Sequence, residues 1–137
     1  MGPILANVFV GFYEEQLLST DNSPIIYRIY VDDIFCIFET KDESSTFLSK
    51  LSQMHPALAF TREDEADDKI PFLDVLVQRS DKSFITSVYR KNTFTGAYMP
   101  WNSFCPTSRK TNIVSCLVRR AINICSNTTL DDELLKI

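Results

Sequence analysis

Histidine occurs once, at His55, and no two of the four cysteines, Cys36, Cys105, Cys116 and Cys125, have the spacing of a zinc clip. That pattern argues against a structural zinc site. His55 stands beside Pro56, the setting of a capping or surface residue rather than of a base. No disulfide framework is implied, because Cys116 and Cys125 fall in an apolar helical pattern where a free buried thiol is the ordinary case. No apolar run reaches the roughly 18 residues of a membrane span. No charged, then apolar, then small-residue start resembles a signal peptide. The expectations are an intracellular protein, with nothing to choose between nucleus and cytoplasm, and no membrane partner.

Acidic residues are scarce where they are most informative. From Met1 to Asp74 there are 5 Lys and Arg against 14 Asp and Glu, whereas from Val75 to Leu130 there are 8 against 1. The whole-chain charge of −4 hides this division, and the pI near 4.9 would by itself suggest no nucleic acid. The middle block is a candidate phosphate-binding face, carried by Arg90, Lys91, Arg109, Lys110, Arg119 and Arg120. The plainer reading is that these cations solvate helix and strand surfaces. Hydrophobic residues make up 45% of the 137, which rules against wholesale disorder. A chain of this length buries about 65–70% of its unfolded surface, enough for one core and little more.

Apolar residues at helical spacing predict a helix from Pro3 to Ser19, closed by the polar cluster Ser19-Thr20-Asp21-Asn22-Ser23-Pro24. Ile25 to Ile29 and Ile34 to Phe38 are short, β-branched and aromatic, the composition of two strands of a hairpin. A second helix opens at Lys41 with Asp42 as N-cap and places Phe47, Leu48, Leu51 and Met54 on one face. Ala57 to Glu63 reads as a strand, and Glu63 to Lys69 as a solvated acidic turn. Ile70 to Val77 and Ser83 to Arg90 read as a hairpin turning at Ser80-Asp81-Lys82. An amphipathic helix follows from Ser108 to Ser126, then a break at Asn127-Thr128-Thr129 and a shorter helix from Leu130 to Ile137. Ahead of it, Thr93-Phe94-Thr95-Gly96-Ala97-Tyr98 and Trp101 are suited either to stacking on bases or to a core.

The chain is organised around Tyr30-Val31-Asp32-Asp33, at the bend of the first hairpin. Two like charges about 4 Å apart repel by roughly 1 kcal/mol in water and about 4 at an effective dielectric of 20, which a bound cation relieves. Hard oxygen ligands on a bend suit Mg²⁺, the ion that bridges phosphates in nucleotidyl transfer. Taken alone, the pair is equally a polar turn.

Tyr-x-Asp-Asp between two apolar strands resembles the active-site hairpin of reverse transcriptases. Met1-Gly2-Pro3-Ile4-Leu5-Ala6-Asn7 resembles the end of the loop and helix before that hairpin. Ile70-Pro71-Phe72-Leu73-Asp74-Val75 and Thr86 to Gly96 resemble the segments after it in Penelope-like retroelements. The resemblance spans Met1 to about Ser126. It implies an α+β fold: a partial reverse-transcriptase palm of antiparallel strands with packed helices over 1–92, then a helical thumb or helix-turn-helix-like segment over 93–137. It also implies two-metal nucleotidyl transfer using Mg²⁺ or Mn²⁺, with an RNA template, a DNA primer and dNTP as partners. Asp32 and Asp33 are then catalytic metal ligands, and Tyr30, Phe72, Leu73 and Asp74 lie near primer or nucleotide. Asp74 is expected to fix its turn or to pair with a basic residue. The family's upstream metal-binding Asp and its fingers have no counterpart in the sequence, so the expectation is a fragment inactive by itself. The alternative is a non-catalytic nucleic-acid-binding remnant or a decayed transposon reading frame.

Overall fold

Tight hairpin turns and the break between the last two helices divide the chain into separate elements. A computed structural model describes residues 2–18, 23–81 and 83–137. Among these residues it is α+β, with two small antiparallel sheets and four helices. Two units separate at Glu63/Asp64.

In the first unit, α1 (Gly2–Leu18) is followed by the hairpin β1 (Ile26–Tyr30) and β2 (Asp33–Ile37), then α2 (Lys41–Gln53). Met1 and most of the polar cluster expected to close α1, residues 19–22, lie outside the described residues. The core is Leu17, Phe47 and Leu51, with Tyr27, Cys36, Phe38 and Phe60 packed around it. Phe47, at 3% exposure, is its centre, and the Phe38 ring lies 5.4 Å from it. Tyr27 joins the hairpin to α1 by donating its hydroxyl to Glu14 Oε1 at 2.6 Å.

Two expectations for this unit are corrected. Thr40, not Asp42, is the N-cap of α2: its backbone is extended and its Oγ1 accepts from the Glu43 amide at 3.3 Å. Thr40-x-x-Glu43 is the capping-box spacing, and Asp42 instead places its charge in the first turn, where the helix dipole favours it. Ala57 to Glu63 forms no strand. Its alternation is real, since Leu58 and Phe60 are half-buried and their neighbours exposed, but among the described residues no flanking strand supplies ladder bonds. The C-cap of α2 is Met54, and His55 instead shapes the turn after it, its Nδ1 accepting from the Ala57 amide at 3.1 Å.

The second unit is a three-stranded meander of β3 (Lys69–Phe72), β4 (Val75–Ser80) and β5 (Ser83–Val88), followed by α3 (Thr107–Ile124) and α4 (Asn127–Leu134). The acidic run before it is a structured turn. Asp67 and Asp68 have positive φ, as a two-residue primed hairpin requires, and Arg79 Nη2 grips Asp68 at 2.7 Å and Glu65 at 2.8 Å. The hydrogen bond to Asp68 is the main reason that the Arg79 pKa is raised.

The stretch expected as one strand from Ile70 to Val77 is two. Leu73 takes φ 54° and reverses the chain, so that Phe72 pairs with Val75. The next turn falls where expected, beyond Ser80, although Lys82 lies outside the described residues. The break between the last two helices comes earlier than expected, at Cys125 and Ser126, and Asn127 already belongs to α4. Cys116 is exposed and Cys125 half-buried at the end of α3, so neither is the buried helical thiol expected.

Candidate nucleic-acid interface

The Tyr30–Asp33 bend forms from the two apolar runs that flank it, with Ile26 opposite Ile37 and Tyr30 opposite Asp33. Val31 and Asp32 are the two turn residues, and Val31 takes φ 57°. For a β-branched side chain this left-handed conformation is strained by roughly 1–3 kcal/mol. Tyr30, Asp32 and Asp33 are all exposed. Among the described residues, no group of three or more His, Cys, Asp or Glu is gathered for a metal ion, so the two carboxylates form only a partial donor set. Phe72, Leu73 and Asp74 belong to the other unit. Leu73 and Asp74 form a turn like the first one, an apolar residue at positive φ followed by Asp.

Of the six candidate cations, three are committed to the fold. Arg90 donates from Nη1 and Nη2 to Glu133 of α4 at 2.8 and 2.5 Å, and its guanidinium lies 5.6 Å from the Phe94 ring centroid. Glu133 is buried, at 5% exposure, and its hydrogen bond is the main reason that the Arg90 pKa is raised. Arg120 Nη2 reaches Asp74 Oδ1 at 3.1 Å and the Tyr89 carbonyl at 3.3 Å, so α3 is tied to the turn between β3 and β4. This is the basic partner expected for Asp74. Lys110 Nζ donates to the Ser103 carbonyl at 2.7 Å and to the Trp101 carbonyl, and lies 5.6 Å from the Trp101 ring centroid. Lys91, Arg109 and Arg119 are exposed.

The residue that organises this unit was missed by sequence reasoning. Thr86, in the middle of β5, uses both backbone groups and its hydroxyl on the α3–α4 junction. Its amide donates to Ser126 Oγ at 2.9 Å, and its carbonyl accepts from the Ser126 amide at 2.9 Å and from Thr129 Oγ1 at 2.7 Å. Its Oγ1 bonds the Ile124 carbonyl at 2.6 Å. β5 is an edge strand, and the junction covers an edge that would otherwise present unpaired backbone groups. No local signal marks Thr86, because β-branched residues are ordinary in strands.

The loop before α3 exposes its aromatics. Trp101 is 66% exposed, and Phe94, Tyr98 and Phe104 are also exposed, so the core reading of these rings does not hold. Phe94 and Tyr98 meet edge to face with centroids 6.1 Å apart.

Residues 97–137 match the animal helix-turn-helix domain. That stretch contains α3, the Cys125–Ser126 turn and α4. Neither the curated proteins nor the solved structures gave a significant match to the chain.

Proposed function

We propose that the chain binds nucleic acid, and that its C-terminal helical segment from about residue 93 is the binding part. The observation that carries this reading is the helix-turn-helix match at 97–137, in a unit that leaves Lys91, Arg109 and Arg119 exposed to a phosphate backbone. Cations that pair with phosphates release condensed counterions, so affinity falls with salt and the slope reports how many phosphates are neutralised. The test is fluorescence anisotropy of labelled duplex and single-stranded oligonucleotides across a salt series. Binding that weakens steeply with salt supports the reading, and no binding at low salt removes it. Arg90 and Arg120 are unsuitable probes, because neutralising either breaks an internal ion pair.

A second reading has one observation in its favour. The strained Val31 turn presents two exposed carboxylates at a hairpin tip, and strain of this kind clusters at functional sites. On this reading the chain is the second half of a reverse-transcriptase palm over 1–92, belonging to a longer polymerase of the Penelope-like type. Asp32 would hold Mg²⁺ or Mn²⁺, Asp33 would support it, and Tyr30, Phe72, Leu73 and Asp74 would lie near primer and nucleotide. The partners would be an RNA template, a DNA primer and dNTP. Two carboxylates do not complete a two-metal site, so a further Asp from an upstream strand is required and the isolated chain is inactive. Primer extension by an upstream-extended protein, abolished by Asp32→Asn, supports this reading. Equal extension by the Asp32→Asn protein removes it.

A further inference from the structure

We infer that the outward stripe of α3, and not α4, is the face that meets nucleic acid, and that it takes the major groove of duplex DNA. The inference rests on the nucleic-acid-binding reading and names the surface within it. Arg109, Asn112, Cys116, Arg119 and Asn123 recur at alternating spacings of three and four residues, which places them along one side of the helix. All five are exposed. The opposite side is the packed one: Ala121 is buried, with Lys110, Leu117 and Ile124 half-buried beside it. α3 contains no acidic residue, so the stripe offers two guanidinium groups and two amides with no opposing charge.

Dimensions favour duplex DNA. Arg109 and Arg119 are ten residues apart, about 15 Å along a helix. That separation lets the two arginines reach phosphates on opposite sides of a major groove about 12 Å wide, with Asn112 between them at the level of the base edges. The deep, narrow major groove of an RNA duplex does not admit a helix in this way.

The second helix of a helix-turn-helix ordinarily enters the groove by its N-terminal residues. Here that end is half engaged: Asn127 and Thr128 are exposed, but Ser126 and Thr129 on either side of them are bonded to Thr86 of β5. In the last turn Glu133 is held by Arg90. The exposed residues of α4 beyond its first two are Asp131, Asp132 and Leu134, and the two aspartates repel phosphate. α4 is a brace that fixes α3 against the sheet.

The experiment uses the whole chain and a fluorescent duplex of about three helical turns, read by anisotropy at several salt concentrations. Arg109→Ala combined with Arg119→Ala is expected to flatten the log K against log salt slope by about two, roughly one for each phosphate left without its arginine. Arg109→Lys with Arg119→Lys should keep the slope. Asn127→Ala with Thr128→Ala, which alters the exposed start of α4, should leave affinity within about twofold. Far-UV circular dichroism verifies that every variant is folded. If wild-type chain binds the duplex but the α3 pair leaves the slope unchanged, or the α4 pair abolishes binding, the assignment to α3 is overturned and the broader reading stands. Binding to single strands alone also overturns the assignment. If wild-type chain binds neither duplex nor single strand, the broader reading fails and the assignment falls with it.

Discussion

The first unit is held around apolar side chains and the second around polar pins. Leu17, Phe47 and Leu51 are the buried apolar residues described in the first, and its hairpin is joined to α1 by the hydrogen bond from Tyr27 to Glu14. In the second, Val88 and Ala121 are the buried apolar residues described, and the helices are fastened by Thr86, Arg90–Glu133 and Arg120–Asp74. Apolar packing is tolerant of position, whereas a hydrogen bond is satisfied at one register. The second unit can therefore hold two helices at a defined place on a three-stranded sheet with little apolar volume.

The largest expected effect tests the apolar side of this contrast. Phe47→Ala should destabilise the first unit by roughly 3–5 kcal/mol, since it leaves a cavity at the centre of a small core. Hydrogen exchange across α2 would report the loss. Exchange across β5 and α3 reports the second unit, and an equal loss of protection there would show that the units unfold as one.

Glu133→Ala leaves Arg90 without its carboxylate and is expected to lower the stability read from hydrogen exchange across β5 and α3 by roughly 2–4 kcal/mol. Pairing it with Arg90→Met should recover much of the loss, because it removes the stranded charge. A double variant no more stable than the single one would mean that the pair acts through its geometry rather than its charge. Thr86→Val keeps the strand and removes the hydroxyl, leaving the Ile124 carbonyl short of a partner. A loss of about 1–3 kcal/mol is expected from the same exchange measurement.

Smaller effects sharpen the picture of the first unit. Val31→Asn should stabilise it by about 1 kcal/mol, because asparagine accepts positive φ and Val31 is exposed, so little packing is sacrificed. A thermal midpoint that falls instead would show that the valine makes interactions that outweigh the strain. Burial, and then the Glu14 charge, push the Cys36 thiol up to about 11. Between about pH 9 and that value the unfolded chain sheds a thiol proton that the folded unit keeps, so stability declines as pH rises through the window. Cys36→Ala should flatten that decline when thermal midpoints at about pH 8 and about pH 10.5 are compared.

The Tyr30–Asp33 hairpin was legible because two β-branched runs flanked a polar pair, and α3 because its apolar residues kept helical spacing. The strand expected at Ala57 to Glu63 failed although its alternation was correct, since a strand also needs a neighbour. The Phe72–Val75 turn was hidden because Leu73 gives no warning of positive φ. Cation clustering marked the unit that carries the helix-turn-helix match, but could not separate Arg90, Lys110 and Arg120, which hold the fold, from Lys91, Arg109 and Arg119, which face solvent.

The sequence by itself determined the local elements: the hairpin bend with its two aspartates, the amphipathic course of α3, and a middle block almost free of acid. These follow from spacing and side-chain shape within a few residues of chain. Tertiary structure decided which cations are available and which helix can be approached, because both depend, Lys110 apart, on partners 31 to 46 residues away, Glu133 for Arg90, Tyr89 and Asp74 for Arg120, and Ser126 and Thr129 for Thr86. A side chain's charge is written in the sequence, but whether a carboxylate already holds it is settled only when distant segments meet.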